Sequence, residues 1–273
     1  MPVGTVGGKV RDALVGTIKG AGDVVGTTVD VTRGAIVSTL KGAGATARAT
    51  TETVADVVAG AVEAAGSVAG STGKVVKGTV IGVVQGVGEV TTLTAGVLSD
   101  TVRAAIKGTK DVGGDAAEAA SSTAQAAVAA TKDVALSLQD ATFGVAQGMI
   151  AGANDVGTDL GSTARNAVRG SIKGAREING DAIEAVRSTA RGLIKGTAEV
   201  GGDLGTVAKG AIVGAIQTAK EVGLDAGAAA SAAATGAIEA AGDIGKSAVE
   251  TVTGVASGTI EGVKVVAKTP FKA

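Results

Sequence analysis

The sequence predicts an all-α fold of tandem 22-residue repeats, and three observations predict it. One apolar anchor recurs at Ile18, Leu40, Val62, Val84, Ile106, Val128, Ile150, Ile172, Ile194, Ile216, Ile238 and Ile260, always 22 residues apart. Within the repeat, polar and apolar positions recur in steps of three and four, the spacing of a helix and not of a strand. And 22 residues are two units of 11, each about three helical turns. An amphipathic stripe can therefore follow the chain without drifting.

Three segments follow in order. Residues 1–17 form a lead-in, residues 18–267 are the repeats, and residues 268–273 are a tail marked by Pro270. Counted from the anchor, position 3 is usually Gly or Ala, position 6 acidic and position 7 Val or Ile. Position 13 is often acidic (Asp30, Glu52, Glu118, Glu184, Glu250) and position 16 often basic (Arg33, Lys77, Arg165, Arg187, Lys209). Position 21 is Gly in most copies.

Two all-α arrangements fit this pattern. The leading expectation is long, seldom-broken helices. The polar stripe crosses the glycines in phase, and Ala47-Arg48, Thr91-Thr92 and Ala135-Leu136 put no breaker where other copies have Gly-Gly. Lys107/Asp111, Lys173/Glu177 and Lys195/Glu199 also stand one turn apart, a spacing worth a few tenths of a kcal/mol at most.

The alternative is an up-and-down bundle of about a dozen short helices. There Gly201-Gly202 ends one helix and Asp203 caps the next. Asp115 with Glu118, Asp181 with Glu184 and Ser247 with Glu250 have capping-box spacing. A β-solenoid is a third arrangement, since Gly, Val and Thr are abundant.

Glycine inside a helix costs up to about 1 kcal/mol relative to alanine, and the chain holds 45 of them. A lone helix of this sequence would not persist, so its stripe must be covered by another segment, another copy or a membrane. Gly170/Gly174, Gly192/Gly196, Gly210/Gly214 and Gly258/Gly262 have the small-xxx-small spacing that lets helix backbones approach.

Composition narrows the chemistry. The chain has 2 Phe and no Trp, Tyr, His or Cys, so its core is Ala, Val, Ile and Leu, closely packed. The usual transition-metal ligands and the commonest general base are missing. Lys and Arg number 25 against 26 Asp and Glu, a balance whose net field favours neither nucleic acid nor anionic lipid. No window approaches the roughly 20 apolar residues of a membrane-spanning helix, and the start does not read as a secretory signal. The default compartment is cytoplasmic.

Candidate chemistry is thin. "GAGDVVG" at 20–26 and "GSTGKVV" at 70–76 look like phosphate loops, but Val68 and Val75 break the P-loop spacing of the second. Asp111, Asp115 and Glu118 share a helical face, as do Glu177, Asp181 and Glu184. Their counterparts recur along the chain among Lys and Arg, which reads as a solvated charged face. Thr17, Thr28, Thr39 and Thr50 are 11 apart, with Thr72 and Thr94 in the same register. That spacing resembles alanine-rich helical antifreeze proteins, although Leu138, Met149 and Leu160 hold the column later, as a buried stripe would. No catalytic, cofactor-binding or metal-binding residue is assigned, and no cofactor or small-molecule substrate is expected.

The "IKGT-x-E/D-V" units, as at 106–112 and 194–200, resemble the 11-residue amphipathic repeats of synuclein and perilipin and of the late-embryogenesis-abundant (LEA) proteins. That resemblance implies a lipid-surface or stress-protective role without catalysis. This chain is richer in Gly and Val, and its only aromatics are Phe143 and Phe271. The reading preferred from the sequence is a non-catalytic structural protein that self-associates through its small-residue stripe. Binding to a membrane or lipid surface is the alternative.

Overall fold

The computed structural model describes residues 3–18, 22–43, 46–67 and 72–267, apart from the side chains of 43, 47–49 and 116–118. The fold is all-α, and of the two helical arrangements it is the up-and-down one. Twelve helices follow one another among the described residues: α1 Thr5–Ile18, α2 Val24–Ala43, α3 Ala47–Gly66, α4 Thr72–Val90, α5 Ala95–Asp111, α6 Ala116–Ala130, α7 Leu138–Asp155, α8 Leu160–Glu177, α9 Ala182–Glu199, α10 Leu204–Val222, α11 Ala226–Ile244 and α12 Lys246–Ala256. One repeat is thus one helix and one turn, and the expectation of seldom-broken helices is corrected.

The turn chemistry explains the breaks. From α8 to α11 the helices start 22 residues apart, each behind an aspartate whose carboxylate accepts backbone N–H bonds from the first turn. Asp159 takes Ser162, Asp181 takes Ile183 and Glu184, Asp203 takes Gly205 and Thr206, and Asp225 takes Gly227 and Ala228. Two residues before each cap the backbone turns left-handed, at Gly157, Asn179, Gly201 and Gly223. The following N–H then reaches back to a carbonyl five residues earlier: Thr158 to Ala153, Gly180 to Ala175, Gly202 to Thr197 and Leu224 to Ala219, all at 2.8–2.9 Å. That closure satisfies carbonyls the helix end leaves open. Asn179 shows that asparagine can replace glycine in this conformation.

Copies without the glycine break by other means. Where Ala135 stands at the left-handed position, α6 stops at Ala130 and a 3-10 turn, Thr131–Asp133, follows. Ser137 then caps α7. After Thr91-Thr92, Thr94 caps α5. Near the N-terminus the break comes about one helical turn earlier in the repeat. Asp23 accepts from Gly26 N–H at the start of α2, and α3 begins at Ala47. The proposed capping boxes fare unevenly. Asp181 is a cap. Ser247 lies inside α12, behind Gly245, and caps nothing. Glu118 lies outside the described side chains.

From α1 to α11 each helix packs most extensively on a helix two away in the chain, and α12 packs most on α11. Odd-numbered helices therefore form one layer and even-numbered helices a second, a quasi-one-dimensional array. Within a layer the helices run parallel. Gly144, Gly148 and Gly152 of α7 lie against Ala95, Ser99 and Arg103 of α5, rising together along both helices.

Glycine sets the spacing of the helices within each layer. A Cβ at Gly174 would lie 2.8 Å from the Gln125 carbonyl oxygen, and one at Gly214 would lie 2.8 Å from that of Arg165. Gly170, Gly192 and Gly210 are seated the same way on Ser121, Phe143 and Gly161. Three of the four glycine pairs expected to allow close approach do so. The fourth does not: Gly258 and Gly262 shape a two-stranded antiparallel hairpin, β1 Gly258–Ile260 and β2 Val263–Val265.

The core is aliphatic throughout, as the composition demands. Its largest fully buried side chains are Leu, Ile and Met149. Several buried threonines bond their own helix four residues back, as Thr79 does to Val75 and Thr197 to Leu193, whereas the Thr32 and Thr123 hydroxyls have no partner among the described residues. The stretch expected to be a lead-in carries α1, which packs on α3 as the first helix of the odd layer.

Candidate functional surfaces

Burial on three sides leaves each interior helix a narrow exposed stripe, and its charges are paired between helices of one layer. Arg103 Nε donates to Asp155 at 2.7 Å, Arg169 to Glu221 at 2.6 Å, Gln147 to Glu199 at 3.2 Å and Arg11 to Glu63 at 3.2 Å. Gln125 donates to Glu177, and Arg187 to Glu239. Each of these pairs spans 52 residues, two repeats plus eight; Arg33 and Glu89, 2.6 Å apart, span 56.

The ladder has a local cause. Asp155, Glu177, Glu199 and Glu221, at position 6, end their helices or nearly so, where the dipole disfavours negative charge, while Glu63 and Glu239 stand at position 2. The donor of the helix two earlier offsets that. The Arg103 hydrogen bond holds the Asp155 carboxyl below its ordinary range, and the Arg169 hydrogen bond does the same to Glu221. In turn Asp155 raises Arg103, and Glu239 raises Arg187. These pairs are half-exposed, so each adds at most about 1 kcal/mol. Glu177 and Glu199, expected to pair with Lys173 and Lys195 one turn away, accept from Gln125 and Gln147 instead, and Lys173 lies 3.9 Å from Glu221.

Charge is also sorted by layer. The even helices carry 11 basic and 6 acidic residues, while the odd helices carry 9 basic and 12 acidic. The excess is densest on α8, where Arg165, Arg169, Lys173 and Arg176 line one exposed side. Lys209 and Lys220 of α10 are exposed in the same layer. With the aspartates that begin the even helices (Asp23, Asp115, Asp159 and Asp203) counted, the even layer is close to neutral and the excess of acid lies in the odd layer.

The sequence motifs land as structural parts. In 20–26, residues 20 and 21 lie outside the described residues, and Asp23 is a helix cap. In 70–76, residues 70 and 71 lie outside them. Lys74 and Lys77 border an open cleft of about 470 Å³ between the start of α4 and the α5–α6 turn, beside Thr109, Asp115 and Ser122. Of the acidic triplets, Glu177 ends α8, Asp181 caps α9 and Glu184 lies 3.7 Å from Arg187. Among the described residues no three acidic side chains converge as metal ligands would. The threonine column is dispersed. Thr28 and Thr50 are buried, Thr94 is a cap and Thr17 is exposed, so it presents no continuous threonine face. No described helix is long and apolar enough to cross a membrane.

The two ends of the array differ. At the C-terminal end the hairpin sits on α11. Val265 is buried there, Val266 N–H donates to Ser231 Oγ at 3.2 Å, and Lys220 reaches the Glu261 carbonyl at 3.4 Å. Ser231 holds the place on α11 that Arg187 holds on α9, where Gly236 docks. The hairpin thus covers the surface on which a thirteenth helix would lie. At the other end α1 is tied down by Asp56 of α3, which accepts from Val6 N–H at 3.1 Å, Gly7 N–H at 2.9 Å and Gly4 N–H. The leading sides of α1 and α2 face outward.

No protein-family model matches the chain, and no curated protein matches it. The surfaces themselves carry the functional reading.

Proposed function

We propose that this protein is a non-catalytic structural scaffold that self-associates. One observation carries the reading: the repeat is self-complementary. A glycine stripe on the leading side of one helix seats the trailing side of the helix two before it, again and again along both layers. A module of this kind gains stability from each neighbour it finds, and its leading stripe at the start of the array stands exposed. Sedimentation velocity and light scattering test the proposal. The expected result is a discrete species at a multiple of the 25.8 kDa chain mass. A lone monomer at tens of micromolar would contradict it.

A second reading has its own observation. The four cations of α8, with Lys209 and Lys220 of α10, give the even face a local cationic patch, which suits an anionic lipid surface. The apolar stripe lies inside the fold, so such binding would be electrostatic, through a folded face. Flotation with phosphatidylserine vesicles, but not phosphatidylcholine vesicles, is the expected result. It should fade as salt shortens the screening length from about 10 Å to about 3 Å. Equal flotation with both lipids would exclude this reading.

A further inference from the structure

The glycine stripe that joins successive helices of a layer continues onto α1 and α2, where no described residue covers it. In α4, Gly78, Gly82 and Gly86 receive the backbone of α2 around Val25, Val29 and Arg33. Two repeats earlier the same positions are Gly34, Ser38 and Gly42 of α2, and all three are exposed. Gly60 of α3, seated on Gly7, corresponds to Gly16 of α1, also exposed. A Cβ added at Gly16, Gly34 or Gly42 would meet nothing within 4 Å. Beside the stripe runs a groove of about 260 Å³ between α1 and α2, lined by the apolar Val6, Val10, Ala13, Val31 and Ala35 together with Lys9, Ser38 and Thr39. The interior copies show what such a face takes, namely another helix of this repeat brought to backbone contact.

We propose that the leading faces of α1 and α2 pair with the same faces of a second copy, about a two-fold axis, to give a closed dimer. The proposal rests on the scaffold reading and names its contact surface. Head-to-tail stacking would place α1 where the hairpin lies on α11, so the hairpin blocks it. A two-fold pairing has no such conflict and is the commonest symmetry of self-association. Small residues on both helices let two such faces approach closely. The charges agree as well. Asp30 and Lys41 are exposed on the same flank of the α2 stripe, at opposite ends of Gly34 and Ser38. When two α2 helices lie antiparallel about that centre, each Asp30 faces the Lys41 of the partner copy.

The test uses the full chain and three variants. Gly34→Leu places a side chain into open space, and leucine favours helix over glycine. The melting temperature should hold or rise while the dimer is lost. Lys41→Glu should weaken the dimer at least tenfold, and Asp30→Lys with Lys41→Glu should restore it. Light scattering across a dilution series reads all three. A dimer that survives Gly34→Leu and Lys41→Glu overturns this interface but leaves the scaffold reading standing. Filaments of the unmodified chain would also overturn it while keeping that reading. A wild-type monomer would overturn both.

Discussion

Gly214 of α10 measures how tightly a layer is packed. A methyl group there would lie 2.8 Å from the Arg165 carbonyl oxygen, 2.9 Å from its Cα and 3.2 Å from its carbonyl carbon. All three atoms are backbone, so no side chain can swing aside. An ordinary carbon-to-oxygen contact is about 3.3 Å or longer, so α8 and α10 must part by several tenths of an ångström. Such a gap forfeits up to about half of the dispersion energy along the seam, and overpacking of this kind costs about 1–3 kcal/mol. Against it stands the gain of up to about 1 kcal/mol when alanine replaces a helical glycine. Gly254→Ala in α12 supplies the comparison, because a Cβ there meets nothing within 4 Å. The two variants share the helix term, so the difference between them reports packing alone. Gly214→Ala should be the less stable by about 1–3 kcal/mol, or several degrees in Tm at roughly 2–4 °C per kcal/mol. Urea titration and thermal melting followed by circular dichroism give both numbers. If Gly214→Ala is stabilised as much as Gly254→Ala, the helices of a layer are not in backbone contact and the account of the glycines fails.

Acid should unfold the array through its caps and ladder. Hydrogen bonds from the Ser162 backbone hold Asp159 low, those from Thr206 hold Asp203 low, and Arg103 and Arg169 do so for Asp155 and Glu221. A carboxylate depressed on folding contributes fully above its unfolded value, about 3.9 for Asp and 4.3 for Glu. That contribution fades as pH falls through the lower folded value. Urea midpoints should therefore stay flat down to about pH 5 and drop below about pH 4; midpoints that rise on acidification would refute this. Asn179→Ala forces alanine to φ 55° and should cost about 1–2 kcal/mol, while Asn179→Gly should not destabilise, both read by urea denaturation. Asp56→Ala removes the acceptor of three N–H groups of α1, so amide exchange in 5–18 should speed up at least tenfold while α7 to α11 hold; unchanged exchange would show that α1 is held by packing alone.

How far the sequence foretold the fold depends on which feature is asked about. The repeat, its helical period and the close glycine packing were all legible, because each rests on residues that recur in register. Continuity of the helix was misjudged, for a physical reason. A polar stripe in phase across the glycines is equally the product of a fixed repeat length, since identical helix-and-turn units restart at the same angle. What distinguished the cases was local: a left-handed Gly or Asn two residues before an Asp. Ala135 hid the break in its copy, because the helix there stops earlier, at Ala130, and Ser137 supplies the cap. The hairpin was invisible from the repeat, which places Ile260 on its anchor. Glu261 and Gly262 instead both take positive φ, which forms a two-residue hairpin turn.

The charge on the two faces could not be read from totals, because it resides in a period of 44 and not of 22. Successive helices alternate between layers, so residues at the same repeat position face opposite sides of the molecule. Position 16 holds Arg165 on the even face and Arg187 on the odd one, and a single consensus averages them. The averaging conceals that α7 and α11 carry no basic residue while α8 carries four. Along each layer the position-6 acids are tied to the preceding donors, so exchange of one member of a pair disturbs a seam. Arg165 of α8 lies instead near the cap Asp159, whose charged form it favours. Changes at Arg169 or Glu221 therefore act on the seam within the layer, and changes at Arg165 act on the start of α8 and on the exposed face.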